Sequence, residues 1–298
     1  MTITQPADIR LPKPVVEGSN PFARSDSVSV CHTPAHLYHG WQEPSCSQLK
    51  QLRESPLAFY HRYVRREAPP KSSSSLTYGS LLHTWAEVGD AEFWRRAIAP
   101  PDSLVTATGA LSKKGEEWLA GIDPDRIPVC PADESKLRPQ TQALLANPEV
   151  QRIIADTVDA EFNVRWQWNG HKVRARVDGA TSEYFYDWKT TRDEAPARTW
   201  FRSVLDFGYY LQSAMYADAA CALGYPMHRM RFIVTSTVWP YECHVCVLPE
   251  RIIEAGRVAC LRLLDELQTR LEWDCWQRLD SQEVCELYFP NWVRPERS

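Results

Sequence analysis

Arg174-Ala-Arg-Val-Asp-Gly-Ala-Thr-Ser-Glu-Tyr-Phe-Tyr-Asp-Trp-Lys-Thr-Thr191 decides how this chain is read. The stretch reads as two strands joined by a short turn. The first strand ends at Asp178-Gly179, and the second carries Asp187-Trp188-Lys189. Side chains alternate along a strand, so Asp187 and Lys189 share one face and Trp188 takes the other. A reverse turn brings Asp178 to the same end of the sheet. Two converging carboxylates repel each other, and a divalent cation is the usual remedy. A lysine beside them can face an attacking water or the charge that develops on a phosphate. Together these groups are the minimal equipment for metal-assisted phosphodiester hydrolysis. Asp-X-Lys alone is also common on solvated strand ends and in surface ion pairs, so its meaning depends on what surrounds it.

Immediately upstream, Glu161–Trp168 alternates with period two, Asn169-Gly170 is a hairpin turn signal, and 171–178 answers as the returning strand. Val173, Ala175 and Val177 fall on one face, with Arg174, Arg176 and Asp178 on the other. Either a phosphate backbone lies along the two arginines, or they pair with Glu161 or Glu183. Downstream, Phe201–Leu223 reads as one long helix that ends at Gly224-Tyr-Pro226. It places Gln212 and Tyr216, four residues apart, on a single face. Met230–Val238 and Tyr241–Leu248 read as strands that complete the sheet after this crossover helix, and Pro249–Trp273 as a final amphipathic helix. The aromatic tail Leu287–Val293 is expected to pack back on the body.

Towards the N-terminus, a helix is expected from Ser45 to Arg53, capped by Ser45 or Ser47, and a second from Pro56 to Tyr63. Arg62, Arg65, Arg66 and Lys71 form a basic cluster, either a solvated helix end or a rim that contacts phosphates. Lys71–Ser75 reads as a flexible break before a helix from Tyr78 to Glu87. There Gly79 and His83 stand one turn apart, and His83 becomes functional only if this helix covers the acidic strands. Residues 100–140 are Pro-rich and polar with a helical piece near Lys113–Leu119, and Thr141–Val158 reads as helical. Residues 1–30, with four prolines, read as a flexible arm, and residues 31–298 as a single domain.

Composition narrows the partners. At 298 residues, 44% apolar and with twelve Trp, the chain can bury a substantial core. A net charge of −4 excludes a wholly basic nucleic-acid coat, so any DNA contact comes from a local groove. There is no apolar run of about 18 residues, which speaks against a membrane span. With no basic-then-apolar leader at the N-terminus, a cytoplasmic protein is expected. The nine cysteines are irregularly spaced and read as free thiols. Cys243-His-Val-Cys246 is the one pair with near-ligand spacing, but residues three apart on a strand face opposite sides.

The ordered set Gly79-X-X-X-His83, Asp178, Asp187-X-Lys189 and Gln212-X-X-X-Tyr216 resembles the PD-(D/E)XK nuclease superfamily in its RecB-like branch. Within that branch it looks most like the C-terminal nuclease domain of RecE, an exodeoxyribonuclease. Ser47-Gln-Leu-Lys-Gln-Leu-Arg-Glu-Ser-Pro56 and Leu287-Tyr-Phe-Pro-Asn-Trp292 add to the likeness, which covers roughly residues 38–295. The resemblance implies a mixed α/β fold (α+β), with a central mixed sheet flanked by helices. It implies that Asp178, Asp187, the Trp188 backbone carbonyl and His83 hold Mg²⁺, with Mn²⁺ as a substitute, and that Lys189 positions water and steadies the leaving charge. Gln212 and Tyr216 would contact DNA or brace the site, with Arg174, Arg176, Arg62 and Arg66 on the DNA side. Glu161 stands where related enzymes place a further acidic residue. The implied activity is 5′ to 3′ degradation of one strand of linear double-stranded DNA, leaving 3′ overhangs for recombination or repair. A ring-shaped homo-oligomer, a single-strand annealing partner and a bacterial or phage origin belong to the same implication. Two motifs depart from the superfamily pattern: Val-Asp replaces Pro-Asp, and Asp-X-Lys replaces Glu-X-Lys as it does in RecE. Cys260, Cys275 and Cys285 are too widely spread for an iron–sulfur cluster. A non-catalytic DNA-binding module or an endonuclease on the same fold are the competing readings.

Overall fold

The computed structural model describes residues 28–33, 35–68, 74–106, 111–123, 125–192, 199–225 and 229–277. Six strands form one mixed sheet: β1 (Ser29–Cys31), β2 (Thr157–Trp168), β3 (His171–Thr181), β4 (Phe185–Thr191), β5 (Arg231–Ser236) and β6 (Cys243–Cys246), lying side by side in chain order. The principal helices are α1 (Cys46–Glu54), α2 (Ser74–Val88), α3 (Pro131–Ala146), α4 (Pro148–Ala155), α5 (Tyr209–Ala222) and α6 (Glu250–Trp273). This is the expected mixed sheet flanked by helices. Asn169 and Gly170 both take positive φ, 48° and 88°, which matches the twist of a two-residue hairpin between β2 and β3. Within this sheet only β4 and β5 run parallel, because the chain crosses between them through α5.

Both faces of the sheet are covered, so alternation sorts the β4 side chains between two cores. Phe185 joins Leu49, Leu52, Ala214 and Leu264 in the core under α1, α5 and α6. Tyr186 and Trp188 join Leu82, Trp85, Leu137 and Ile153 in the core under α2, α3 and α4. Asp187 and Lys189 therefore point towards α5. In α1, the main-chain N–H of Ser45 donates to Gln48 Oε1 at 2.8 Å, half of a capping box that fixes the helix start.

Several expected boundaries move. Ser29 and Val30, placed in the arm, pair with β2 as part of β1. The helix expected over 141–158 starts earlier, at Pro131, and is split at Asn147-Pro148, where the Asn147 side chain caps α4. Its last residues, Thr157 and Val158, belong to β2 instead. The long helix over 201–223 is two, Phe201–Asp206 and α5, parted by Gly208 in the left-handed region. The helix from Pro56 continues past Phe59 as a wider turn over Tyr60–Val64. Most of the break at 71–75 and the whole aromatic tail lie outside the described residues, while Ser74 and Ser75 open α2. Among the described residues no helix is long and apolar enough to cross a membrane.

Gly256 shows how tightly α5 and α6 pack. A Cβ there would stand 2.3 Å from the Tyr210 carbonyl oxygen, which is backbone and cannot swing aside. Gly256→Ala is expected to cost about 2 kcal/mol or more of folding stability by forcing the helices apart. Chemical denaturation measures this, and an unchanged midpoint would contradict the close approach.

Candidate active site

The site is built on a fork in the sheet. β3 and β4 pair only at Gly179↔Tyr186 and Ala180↔Phe185, and beyond those residues they part. Asp178 and Asp187 stand on the two prongs. The Trp188 N–H, released from β3, donates to Asp178 Oδ2 at 2.9 Å. The freed edge of β3 is taken up by the segment before α1, where the Arg174 N–H donates to the Pro44 carbonyl at 3.1 Å. Glycine is required at 179, because a Cβ would stand 2.1 Å from Tyr186 Cζ. Tyr186 in turn anchors its hydroxyl on Thr157 Oγ1 at 2.9 Å.

A second irregularity brings in Glu161. It takes φ +51°, and the β2–β3 ladder skips the Glu161/Asp178 pair. The kink changes which residues of the prong face each core: Val173, Ala175 and Val177 are followed by Ala180, not Gly179, in the core under α5. Helix α2 does cover this end of the sheet, held by edge contact of Trp85 with Trp188 at 6.2 Å between ring centroids. Two residues before Trp85, His83 Nδ1 stands 3.4 Å from Asp178 Oδ2 and 3.8 Å from Glu161 Oε1. His83, Glu161 and Asp178 offer three ligand atoms within 4.8 Å of one another. Two carboxylates and an imidazole are a donor set that fits a divalent cation.

Across the fork, Asp187 is 2% exposed. Its Oδ1 accepts from Gln212 Nε2 of α5 at 2.6 Å, and its Oδ2 pairs with Lys189 Nζ. The sequence puts Asp178 at the same end of the sheet as Asp187 and Lys189, and the fork sets the three apart there. Asp187 and Lys189 face α5, while Asp178 sits in the fork and meets His83 from the other side. The reason is the kink, which breaks strict alternation.

The charges in the fork are coupled. Burial, with Asp187 next, pushes the Asp178 carboxyl up to about 7. The Asp178 charge, working against burial, raises His83 to about 9. Burial acts upward on Glu161, but His83 and Arg176 outweigh it and hold that carboxyl below its usual value. Burial opposes the Lys189 charge, yet Asp187 and Asp178 prevail and raise its pKa. Asp178 and His83 both titrate higher in the folded chain than their ordinary values of 3.8 and 6.5. Groups shifted this way stabilise the fold at low pH and lose that contribution as pH rises through the folded value. The window runs to about 7 for Asp178 and to about 9 for His83. The metal-free protein is therefore expected to melt at lower temperature as pH rises from about 6 to about 9. Melts in EDTA test this, and a flat or rising profile would contradict the cluster.

The remaining candidates divide by burial. Gln212 and Tyr216 are buried braces: Gln212 holds Asp187, and the Tyr216 hydroxyl donates to the Arg176 carbonyl. Arg176 pairs with Glu161 Oε2 at 2.7 Å, the structural alternative its sequence position left open. Arg174, expected to face DNA, is 1% exposed; its guanidinium lies 4.5 Å above the Tyr38 ring and donates to the Tyr38 carbonyl, so no phosphate can reach it as placed. Arg62 is half-buried and Arg66 is exposed at a left-handed φ of 58°. Burial pushes the Cys243 thiol up to about 12 and raises Cys246 as well, as expected of thiols in apolar surroundings.

A family model described as the PD-(D/E)XK nuclease superfamily matches residues 43–279. No curated protein matches the chain. Among solved structures, the chain is similar to the crystal structure of a protein named "Putative exonuclease" from Eubacterium rectale. The TM-score is 0.55 at 11% sequence identity, over 83% of this chain and 91% of that one. At that identity the likeness speaks for the fold.

Proposed function

The chain belongs to the PD-(D/E)XK nuclease superfamily, and on that premise we propose that it is a metal-dependent exonuclease of the RecE type. It would degrade one strand of linear double-stranded DNA, 5′ to 3′, and leave 3′ overhangs for recombination or repair. One observation carries the reading: the His83–Glu161–Asp178 cluster opens on the same fork as the buried Asp187–Lys189 pair. The RecE-like branch rests on the ordered motifs alone. A ring-shaped homo-oligomer and an annealing partner follow from that same resemblance.

In this reading Asp178, Glu161 and His83 would hold the cation, with Asp187 and the Trp188 carbonyl as further oxygens. The oxygen-rich set favours Mg²⁺, with Mn²⁺ as a substitute. A bound divalent cation lowers the pKa of water and offsets phosphate charge. Lys189 sets a fixed ammonium against the charge that develops on the phosphate, in a site largely closed to water. Gln212 holds the Asp187 carboxylate in one rotamer, and Tyr216 ties α5 to β3 next to the fork.

The test is digestion of 5′-end-labelled linear duplex with Mg²⁺ and in EDTA, beside closed circular DNA. Label release from linear DNA only with metal, with the circle intact, is expected. A cut circle identifies an endonuclease, binding without any cleavage identifies a non-catalytic module, and full activity in EDTA removes the metal.

A further inference from the structure

Two lysines share one aromatic ring beside the fork. Lys189 Nζ stands 5.1 Å, and Lys50 Nζ of α1 4.9 Å, from the centroid of Tyr209. Lys189 has Asp187 as its partner. Asp187 also acts on Lys50, after Cys46, while its two oxygens bind Gln212 and Lys189. Burial, the largest influence on Lys50, disfavours its charge. Lys50 is half-buried, and among the described residues no ion pair holds it, so the negative charge of a ligand is its favourable partner.

The neighbouring geometry extends the row. One turn further along α1, Arg53 Nη1 donates to the Tyr210 hydroxyl at 2.8 Å, which leaves most of its donors for other acceptors. Gly208, at φ +62°, turns the chain into α5 beside them, with Lys50 Cε and the Arg53 guanidinium 3.4 Å from where a Cβ would be. Lys189, Lys50 and Arg53 thus form a cationic row leading from the fork along α1. Arg174 and Arg176, the cations nearest the fork on β3, are consumed by Tyr38 and Glu161.

We propose that Lys50 and Arg53 bind phosphates next to the scissile one, so that the DNA strand being cut runs along α1 past Gly208. This rests on the nuclease reading above, and it adds a substrate track that neither the acidic motifs nor the family match assigns.

The experiment reads DNA binding without cleavage, by fluorescence anisotropy in EDTA, on linear duplexes that carry a single neutral methylphosphonate walked from the 5′ end. Lys50→Ala is expected to weaken binding about tenfold and to reduce the slope of log affinity against log salt by about one. Lys50→Gln, which keeps the stem that packs on Gly208, should lose the same slope, and Lys50→Arg should recover most of the affinity. At one position the methylphosphonate should weaken the wild type and leave Lys50→Ala unchanged, because the lost contact is the same one. Wild-type affinity and slope in both neutral variants, or an equal methylphosphonate penalty in wild type and variants at every position, would overturn the track. A wild type that binds duplex but never cuts it with metal overturns the nuclease reading instead, and the binding data still decide the track.

Discussion

Asp187→Asn is expected to abolish cleavage of linear duplex DNA while the protein stays folded and keeps binding DNA. Asparagine is the informative replacement because of what surrounds this side chain. Asp187 is 2% exposed and accepts from Gln212 at 2.6 Å. The asparagine carbonyl can keep that bond, whereas alanine would leave the Gln212 amide unpaired as well. Either change takes the partner from Lys189, and breaking a fully buried pair costs about 3–5 kcal/mol. The Lys189 side chain is 15% exposed and lies over the Tyr209 ring, so it has somewhere to turn and the cost should fall below that range. Chemistry has no such escape on the proposed reading: the fork would lose a charged oxygen ligand, and water there would lose its activation. Binding to DNA in EDTA should be unchanged or tighter, since a negative charge beside the phosphate is gone. Calorimetry should show weakened metal binding. Shortening of linear DNA at the wild-type rate would remove β4 from the active site, and unfolding of the variant would mark its charges as structural.

The parts of the site that were legible in the sequence are those that depend on regular geometry. Asn169-Gly170 fixed the hairpin, and period-two alternation correctly put Asp187 and Lys189 together with Trp188 opposite. The placement of His83 followed once α2 was found over the fork, held there by Trp85 against Trp188. What escaped depends on departures from regularity that residue type does not announce. Glutamate is not a residue that favours positive φ, so nothing in the chain marks Glu161 as the kink at +51° that turns Asp178 towards His83. The burial of Arg174 depends on Tyr38, 136 positions away, and a local pattern of arginine and apolar residues reads the same whether that partner exists or not. Gly208 looked like one more residue in a helical run; its left-handed turn is what starts α5 beside Lys50 and Arg53.

Lys189→Met should stop cleavage as Asp187→Asn does, yet with the opposite response to metal. Methionine keeps much of the stem and removes the ammonium. The rate should fall on the order of a hundred- to a thousandfold, the usual loss when one fixed positive partner of the transition-state charge is deleted. The proposed cation ligands all remain, so metal binding should be retained. Stability is where the two variants part. Without Lys189, Asp187 faces Asp178 across the fork with the neutral Gln212 amide as its hydrogen-bond partner and loses its directly paired cation. Two buried carboxylates then repel, and the metal-free variant should melt several degrees below wild type at neutral pH, for a loss of about 2–3 kcal/mol. The deficit should shrink as pH falls and Asp178 takes up a proton, which it does more readily once Lys189 no longer favours its charge, and widen as pH rises. A divalent cation supplies the charge that the lysine no longer does. Mg²⁺, Mn²⁺ or Ca²⁺ should therefore raise the melting temperature more in Lys189→Met than in wild type, and less in Asp187→Asn, which has lost a ligand. Ordering three proteins by their metal-induced shift tests the arrangement without any reference to cleavage. Equal shifts in all three would mean that Asp187 and Lys189 form a structural ion pair beside the metal site and take no part in it.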